Sequence, residues 1–193
     1  MRITYNAPFV LSFSLACAAI RLVGTGFTET FFAVGTTMDF GNPLDYFRLF
    51  SHGMGHADWA HYFGNFAYIL LLGPILEEKY GSAKLAFMCF MTAFLTGIIN
   101  VMFLTTGLMG ASGIVFMMIV LSSVTNAQKG VIPLTFIFVL IMYVGKELLD
   151  AFTTSSNVSH FAHIFGGVAG SFFGFFKTNN DSGTTTTTTN SLK

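Results

Sequence analysis

Charge is what this chain has least of. Asp, Glu, Lys and Arg make up 9% of its 193 residues and cancel to a formal net charge of zero, whereas an average soluble domain carries about 25%. With 53% hydrophobic residues and a mean hydropathy of +0.67, this scarcity excludes an ordinary soluble fold. It defines a membrane protein, long enough for one bundle of spans and too short for a sizeable extramembrane domain. No basic run is present, so nucleic acid is not an expected partner. Cysteine is scarce too: Cys17 and Cys89 each lie inside an apolar run, where a thiol serves as a small packing group and not as half of a disulfide or a metal ligand. There is no internal repeat, which weighs against an inverted-repeat transporter. The N-terminal M-R-I-T-Y-N-A-P leads into apolar sequence without a small-residue cleavage site, so that stretch reads as a retained span and not as a signal peptide.

What is present is hydrocarbon-compatible sequence in six runs: residues 8–23, 57–76, 85–104, 113–125, 131–143 and 161–176. A span needs about 17 to 25 mostly apolar residues, so the two shortest runs are expected to extend into their flanking turns. The expected fold is an all-α membrane protein, a bundle of six transmembrane helices over residues 8–177. Residues 1–7 form a short cytoplasmic N-terminus, and the threonine-rich residues 178–193 are a low-complexity tail expected to be disordered. The long first connection, residues 24–56, carries Phe27, Phe31, Phe32, Phe40, Tyr46, Phe47, Phe50 and Met54, and such a loop suits partial immersion at the interface. With a cytoplasmic N-terminus, Arg2, Lys79, Lys84, Lys129, Lys177 and Lys193 fall inside, and Arg48 and Lys146 outside. This is the sense of the positive-inside rule. Arg21, near the end of the first span, reaches the interface with its long side chain.

This topology sets several polar residues at one shallow depth below the outer face. His61 and Asn65 lie one to two turns into the second span, Ser112 heads the fourth in the sequence G-A-S-G, and His163 lies in the first turn of the sixth. Polar groups at such depth are costly unless paired or wetted, and they mark function. Ser112 and His163 supply a nucleophile and a general base. His61 and Asn65, spaced i,i+4, share a helix face from which both can donate to a developing oxyanion, and the Ser112 amide sits in a first turn that lacks intrahelical partners. Gly166 and Gly170 continue the face of His163, and Gly110 and Gly113 flank Ser112. If these small-residue stripes meet, two helices approach closely enough to bring His163 to Ser112.

These residues resemble the rhomboid family of intramembrane serine proteases over about residues 46–176. The likeness is carried by H61-Y-F-G-N65, G110-A-S112-G113 and A162-H163-I-F-G166-G-V-A-G170. F47-R48-L49-F50-S51-H52-G-M-G-H56 resembles the segment leading into the second span, with Phe47 where the family often has Trp, and E77-E-K-Y-G81 resembles the turn after it. The resemblance implies hydrolysis of peptide bonds in or near transmembrane segments of membrane-protein substrates, by a Ser-His dyad and without metal or organic cofactor. In that scheme Ser112 is the nucleophile and His163 the base. His61, Asn65 and the Ser112 amide form the oxyanion hole, and Phe116 packs beneath the histidine. No carboxylate stands near the dyad in the sequence. Water would reach the acyl-enzyme through a polar cavity lined by Ser51, His52 and His56. The expected partners are transmembrane substrates and the lipid bilayer. The oligomeric state stays open, with a monomer sufficient. The expected location is the plasma membrane of a bacterium, with the site opening to the non-cytoplasmic face.

Two other readings use the same residues. His52 with His56, and His160 with His163, have spacings workable for a metal ion on one helix face, as in a metal-binding or transport protein. A catalytically inactive relative that only binds membrane helices is the other.

Overall fold

The computed structural model describes residues 4–104, 107–124, 131–138, 141–142, 145 and 164–173. Six α-helices precede residue 125: α1 Pro8–Val23, α2 Thr25–Phe32, α3 Pro43–Ser51, α4 Trp59–Tyr80, α5 Ser82–Phe103 and α6 Ser112–Val124, with a 3-10 turn His52–Met54 after α3. A further helix covers Ile164–Phe173. Among the described residues the only β pairing is one antiparallel bridge. The described residues are therefore all-α in architecture. Ser82–Phe103 is the one described helix long and apolar enough to cross a membrane by itself, while Pro8–Val23, Ser112–Val124 and Ile164–Phe173 are shorter apolar helices. At 1.5 Å per residue, the 22 residues of α5 reach about 33 Å, close to the roughly 30 Å of bilayer hydrocarbon.

Local chemistry sets the boundaries. Asp58 caps α4 by accepting the His61 amide at 2.7 Å, and Asn42 caps α3 by accepting Leu44 N–H at 3.1 Å, with Pro43 in the first turn. Such caps satisfy amides that a helix start leaves without partners. α1 has no such cap of its own. Glu77, from the far end of α4, fills the role: its two carboxylate oxygens accept Phe9 N–H at 2.8 Å and Val10 N–H at 2.9 Å. The chain then reverses at Gly81, and Ser82 donates to the same carboxylate at 2.6 Å.

α6 is the centre of the bundle. Every residue from 113 to 121 is buried, as expected of a helix apolar on all sides. It packs on α4, α5 and the 3-10 turn.

The first connection, expected as an interfacial loop, contains two helices. α3 is bound to α5 through Phe50, which stacks on Phe90 at 4.4 Å and on Phe94 at 4.6 Å between ring centroids. Arg48 bonds Asp45 at 2.6 Å and donates from Nε to the Thr30 carbonyl at 2.9 Å. It thereby closes the open end of α2 with a charge of the favourable sign. Phe27, Phe31, Phe40, Tyr46 and Phe47 are exposed on this segment.

Candidate active site

The turn before α6 is suspended from the first connection. Val34 and Leu108 exchange both backbone hydrogen bonds, at 2.9 and 3.0 Å, and the Gly110 N–H donates to the His52 carbonyl at 2.9 Å. Gly110 has φ +132°, a conformation reserved for glycine. The first bond inside α6 runs from Val115 N–H to the Ala111 carbonyl at 2.9 Å. The amides of Ser112, Gly113 and Ile114 thus fall in the turn that a helix leaves without intrahelical acceptors, where its dipole favours an anion. Ser112 is partly exposed at this head, and its hydroxyl makes no hydrogen bond among the described residues.

α4 brings His61 and Asn65 to the same turn. A Cβ on Gly110 would fall 2.6 Å from Cε1 and 2.7 Å from Nε2 of His61, and 3.8 Å from Nδ2 of Asn65. The imidazole edge therefore rests on the backbone two residues before Ser112. The Asn65 amide donates to the His61 carbonyl at 3.1 Å and is buried. It retains a second N–H.

The two glycine stripes behave differently from each other. Gly166 lies against the Gly113 backbone and Gly170 against that of Met117, so closely that neither could carry a Cβ without displacing the other helix. Gly110, expected on this seam, meets His61 instead. His163 and His160 lie outside the described residues. His163 immediately precedes the Ile164–Phe173 helix, whose first turn carries Gly166. Phe116 is buried one turn below Ser112.

His52 and His56, expected along a water-accessible cavity, are 3% and 0% exposed. The His52 Nε2–H donates to the Ala93 carbonyl at 2.8 Å, which fixes the tautomer and leaves Nδ1 bare. Burial pushes both imidazoles down to about 4, for His56 with help from the neighbouring His61. Among the described residues no three His, Cys, Asp or Glu gather as metal ligands. An apolar cavity of about 440 Å³ opens between α1 and α5, reaching Gly53 and Ile114, and Cys89 is in its wall.

Sequence reasoning missed Glu77 as the cap of α1 and the Val34–Leu108 bridge. Burying an acid at the end of an apolar run was the available signal for the first. A one-residue bridge leaves no periodic trace.

The geometry defines a class: a helical membrane protein with a serine at the head of its central helix and an imidazole and a carboxamide gathered on the preceding turn. The Rhomboid domain model matches residues 43–180, well over half of the chain, and the protein belongs to the rhomboid family. Members of this family are integral membrane proteins and generally intramembrane serine proteases that act on transmembrane substrates. Comparison with curated proteins gives no match.

Proposed function

We propose that this protein is an intramembrane serine endopeptidase that hydrolyses peptide bonds in or near the transmembrane segments of membrane proteins. Ser112 attacks the scissile carbonyl. His163 takes the hydroxyl proton and returns it to the leaving amine, and water then releases the acyl group by the reverse sequence. The developing oxyanion is held by the Ser112 amide, His61 and Asn65. Neither metal nor organic cofactor has a role.

One observation carries this reading most strongly: the backbone contact of Gly166 with Gly113 and of Gly170 with Met117. It supports the meeting of the helix that follows His163 with the helix that Ser112 begins. The His61 edge on Gly110 supports the oxyanion assignment on the other side of the same turn. The six-span bundle with a cytoplasmic N-terminus, a site open to the non-cytoplasmic face and a bacterial plasma membrane complete the proposal. The continuous interior packing of α1, α4 and α6 is consistent with a monomer.

The test is a serine-directed acylating probe on the full chain in bilayers, together with a model transmembrane substrate. Labelling at Ser112 and cleavage are both expected, and both fall to background in Ser112→Ala. Cleavage that survives Ser112→Ala and is lost to a chelator would instead favour the histidine-metal reading. A folded protein that neither labels nor cleaves would favour an inactive helix-binding relative.

A further inference from the structure

We infer that the cavity between α1 and α5 seats one acyl chain of a bilayer phospholipid, and that the seated chain braces the serine turn from below. The site lies apart from the proposed protease chemistry, and its occupancy is read without an activity assay.

The cavity holds about 440 Å³, a size typical of ligand sites, whereas a packed interior leaves few voids larger than a water molecule. Among its described lining residues, the only side-chain heteroatoms are the sulfurs of Met54 and Cys89. Such a wall offers water no partners, and a space of this kind stays dry or takes an apolar molecule. Left empty, it deprives its lining of the dispersion contacts of close packing. A peptide segment is a poor filler, because its backbone N–H and C=O groups would be desolvated there without partners. An acyl chain brings only methylenes and a methyl end.

Position points to the same occupant. α5 is the described helix able to cross a bilayer by itself, and its Phe87 and Phe90 are both exposed and part of the cavity wall. The mouth is thus continuous with a lipid-facing surface, in a family of integral membrane proteins. Along α5 the cavity runs from Ala86 to Ala93, about 10 Å of helix rise. It starts near the end of the bundle where Glu77 joins the head of α1 to the Gly81 turn. From there it climbs to Gly53, Met54 and Ile114, so a chain entering from that leaflet ends beneath the 3-10 turn.

The roof of the cavity connects to the serine turn. A Cβ on Gly53 would fall 3.1 Å from Ile114 Cδ1 and 3.6 Å from Ala93 Cβ, so the 3-10 turn rests closely on α5 and α6. His52, its first residue, donates from its ring to the Ala93 carbonyl at 2.8 Å, and the His52 carbonyl accepts the Gly110 amide at 2.9 Å. Ile114 is two residues past Ser112. A chain end lodged against Gly53, Met54 and Ile114 therefore occupies the space into which this turn and the head of α6 could otherwise relax.

The test uses the full chain in phosphatidylcholine bilayers. A phosphatidylcholine with a diazirine at the methyl end of one acyl chain should, on irradiation, mark Met54 and the buried Ile114 as well as exposed residues such as Leu71 and Ile75 of α4. Ala86→Trp, which plugs the mouth, should abolish the marks at Met54 and Ile114 and leave those on α4 unchanged. In bilayers of short-chain phosphatidylcholine, whose methyl ends stop below the 3-10 turn, hydrogen exchange at Gly110 should be roughly threefold to tenfold faster than in long-chain bilayers. In Ala86→Trp that dependence on chain length should disappear. Labelling confined to exposed faces of the unaltered chain would show annular lipid only and overturn the site. Displacement of the Ile114 label by an excess of a model transmembrane substrate would give the cavity to substrate and overturn it likewise. Gly110 exchange that ignores chain length in the unaltered protein, or that follows it equally in Ala86→Trp, would overturn the brace.

Discussion

Gly110 has no room for a methyl group beside His61: a Cβ at that position would fall 2.6 Å from Cε1 and 2.7 Å from Nε2 of the imidazole, on a backbone with φ +132°. Gly110→Ala should therefore displace the histidine edge. The strained backbone costs about 1–2 kcal/mol, whereas loss of an oxyanion donor costs roughly 10²- to 10³-fold in kcat. Activity should thus suffer far more than stability. Steady-state cleavage beside thermal unfolding separates the two. Combining Gly110→Ala with His61→Ala removes the clash, so the pair should be little worse than His61→Ala alone.

The seam between α6 and the Ile164–Phe173 helix supplies its own control. A Cβ at Gly166 would strike the Gly113 carbonyl and one at Gly170 the Met117 carbonyl, while one at Gly167 would meet Val120 Cγ2 at an ordinary 3.5 Å. Gly166→Ala and Gly170→Ala should each destabilise by about 1–3 kcal/mol, the usual range for overpacking a tight contact, and both should lower kcat by separating the two helices. Gly167→Ala should be close to neutral. Equal effects at all three positions would mean that helix propensity, and not the backbone contact, governs this segment.

Part of this architecture was legible because its causes are local. A helix, α1, occupies the first expected apolar run, residues 8–23, and α4 runs 59–80 against an expected 57–76 because Asp58 caps its start and Gly81 ends it. The helices α5 and α6 begin at Ser82 and Ser112, within three residues of the starts expected for the third and fourth apolar runs. The closeness of His61, Asn65 and the G-A-S-G turn was legible from depth alone, since α4 and α6 both start at one end of the bundle. What was not legible depends on contacts far apart in sequence. Glu77 reads as the end of an apolar run until the amides of Phe9 and Val10 are seen at its oxygens, 68 and 67 positions away. The helices α2 and α3 were hidden by an aromatic content that equally suits an irregular interfacial loop. Gly110 and Gly113 look interchangeable as small residues, but only a positive φ distinguishes the turn from the helix seam.

Glu77 should be among the most sensitive positions for stability and among the least direct for chemistry. It is 4% exposed and receives two amides and the Ser82 hydroxyl. Glu77→Gln presents an NH2 group where an acceptor is needed and should cost about 1–3 kcal/mol, while Glu77→Ala, which strands all three donors, should cost more. Ser82→Ala removes one hydrogen bond and should cost about 1 kcal/mol. Denaturant or thermal unfolding ranks the three. Ser112 in the folded fraction should still react with an acylating probe in each variant.

Acid should loosen the serine turn through the two buried histidines that precede α4. His52 and His56 are pushed down to about 4 from an ordinary 6.5, by burial in both and also by the neighbouring His61 in the second. Since the unfolded chain binds these protons at higher pH than the folded one, their stabilisation is complete above about 6.5 and is lost progressively as pH falls toward 4. At the bottom of that window it amounts to roughly 3 kcal/mol for each group. Thermal stability should accordingly be flat from pH 7 to 8 and fall between pH 6.5 and 4. His52→Gln keeps an N–H for the Ala93 carbonyl without a titrating ring and should reduce that limb by about half, leaving the share of His56. Because the His52 carbonyl holds the Gly110 amide at 2.9 Å, acid loss of structure should start at this turn. Hydrogen exchange at Gly110 should then rise at a higher pH than exchange at the interior of α6, and the reverse order would show that the histidines do not control the turn.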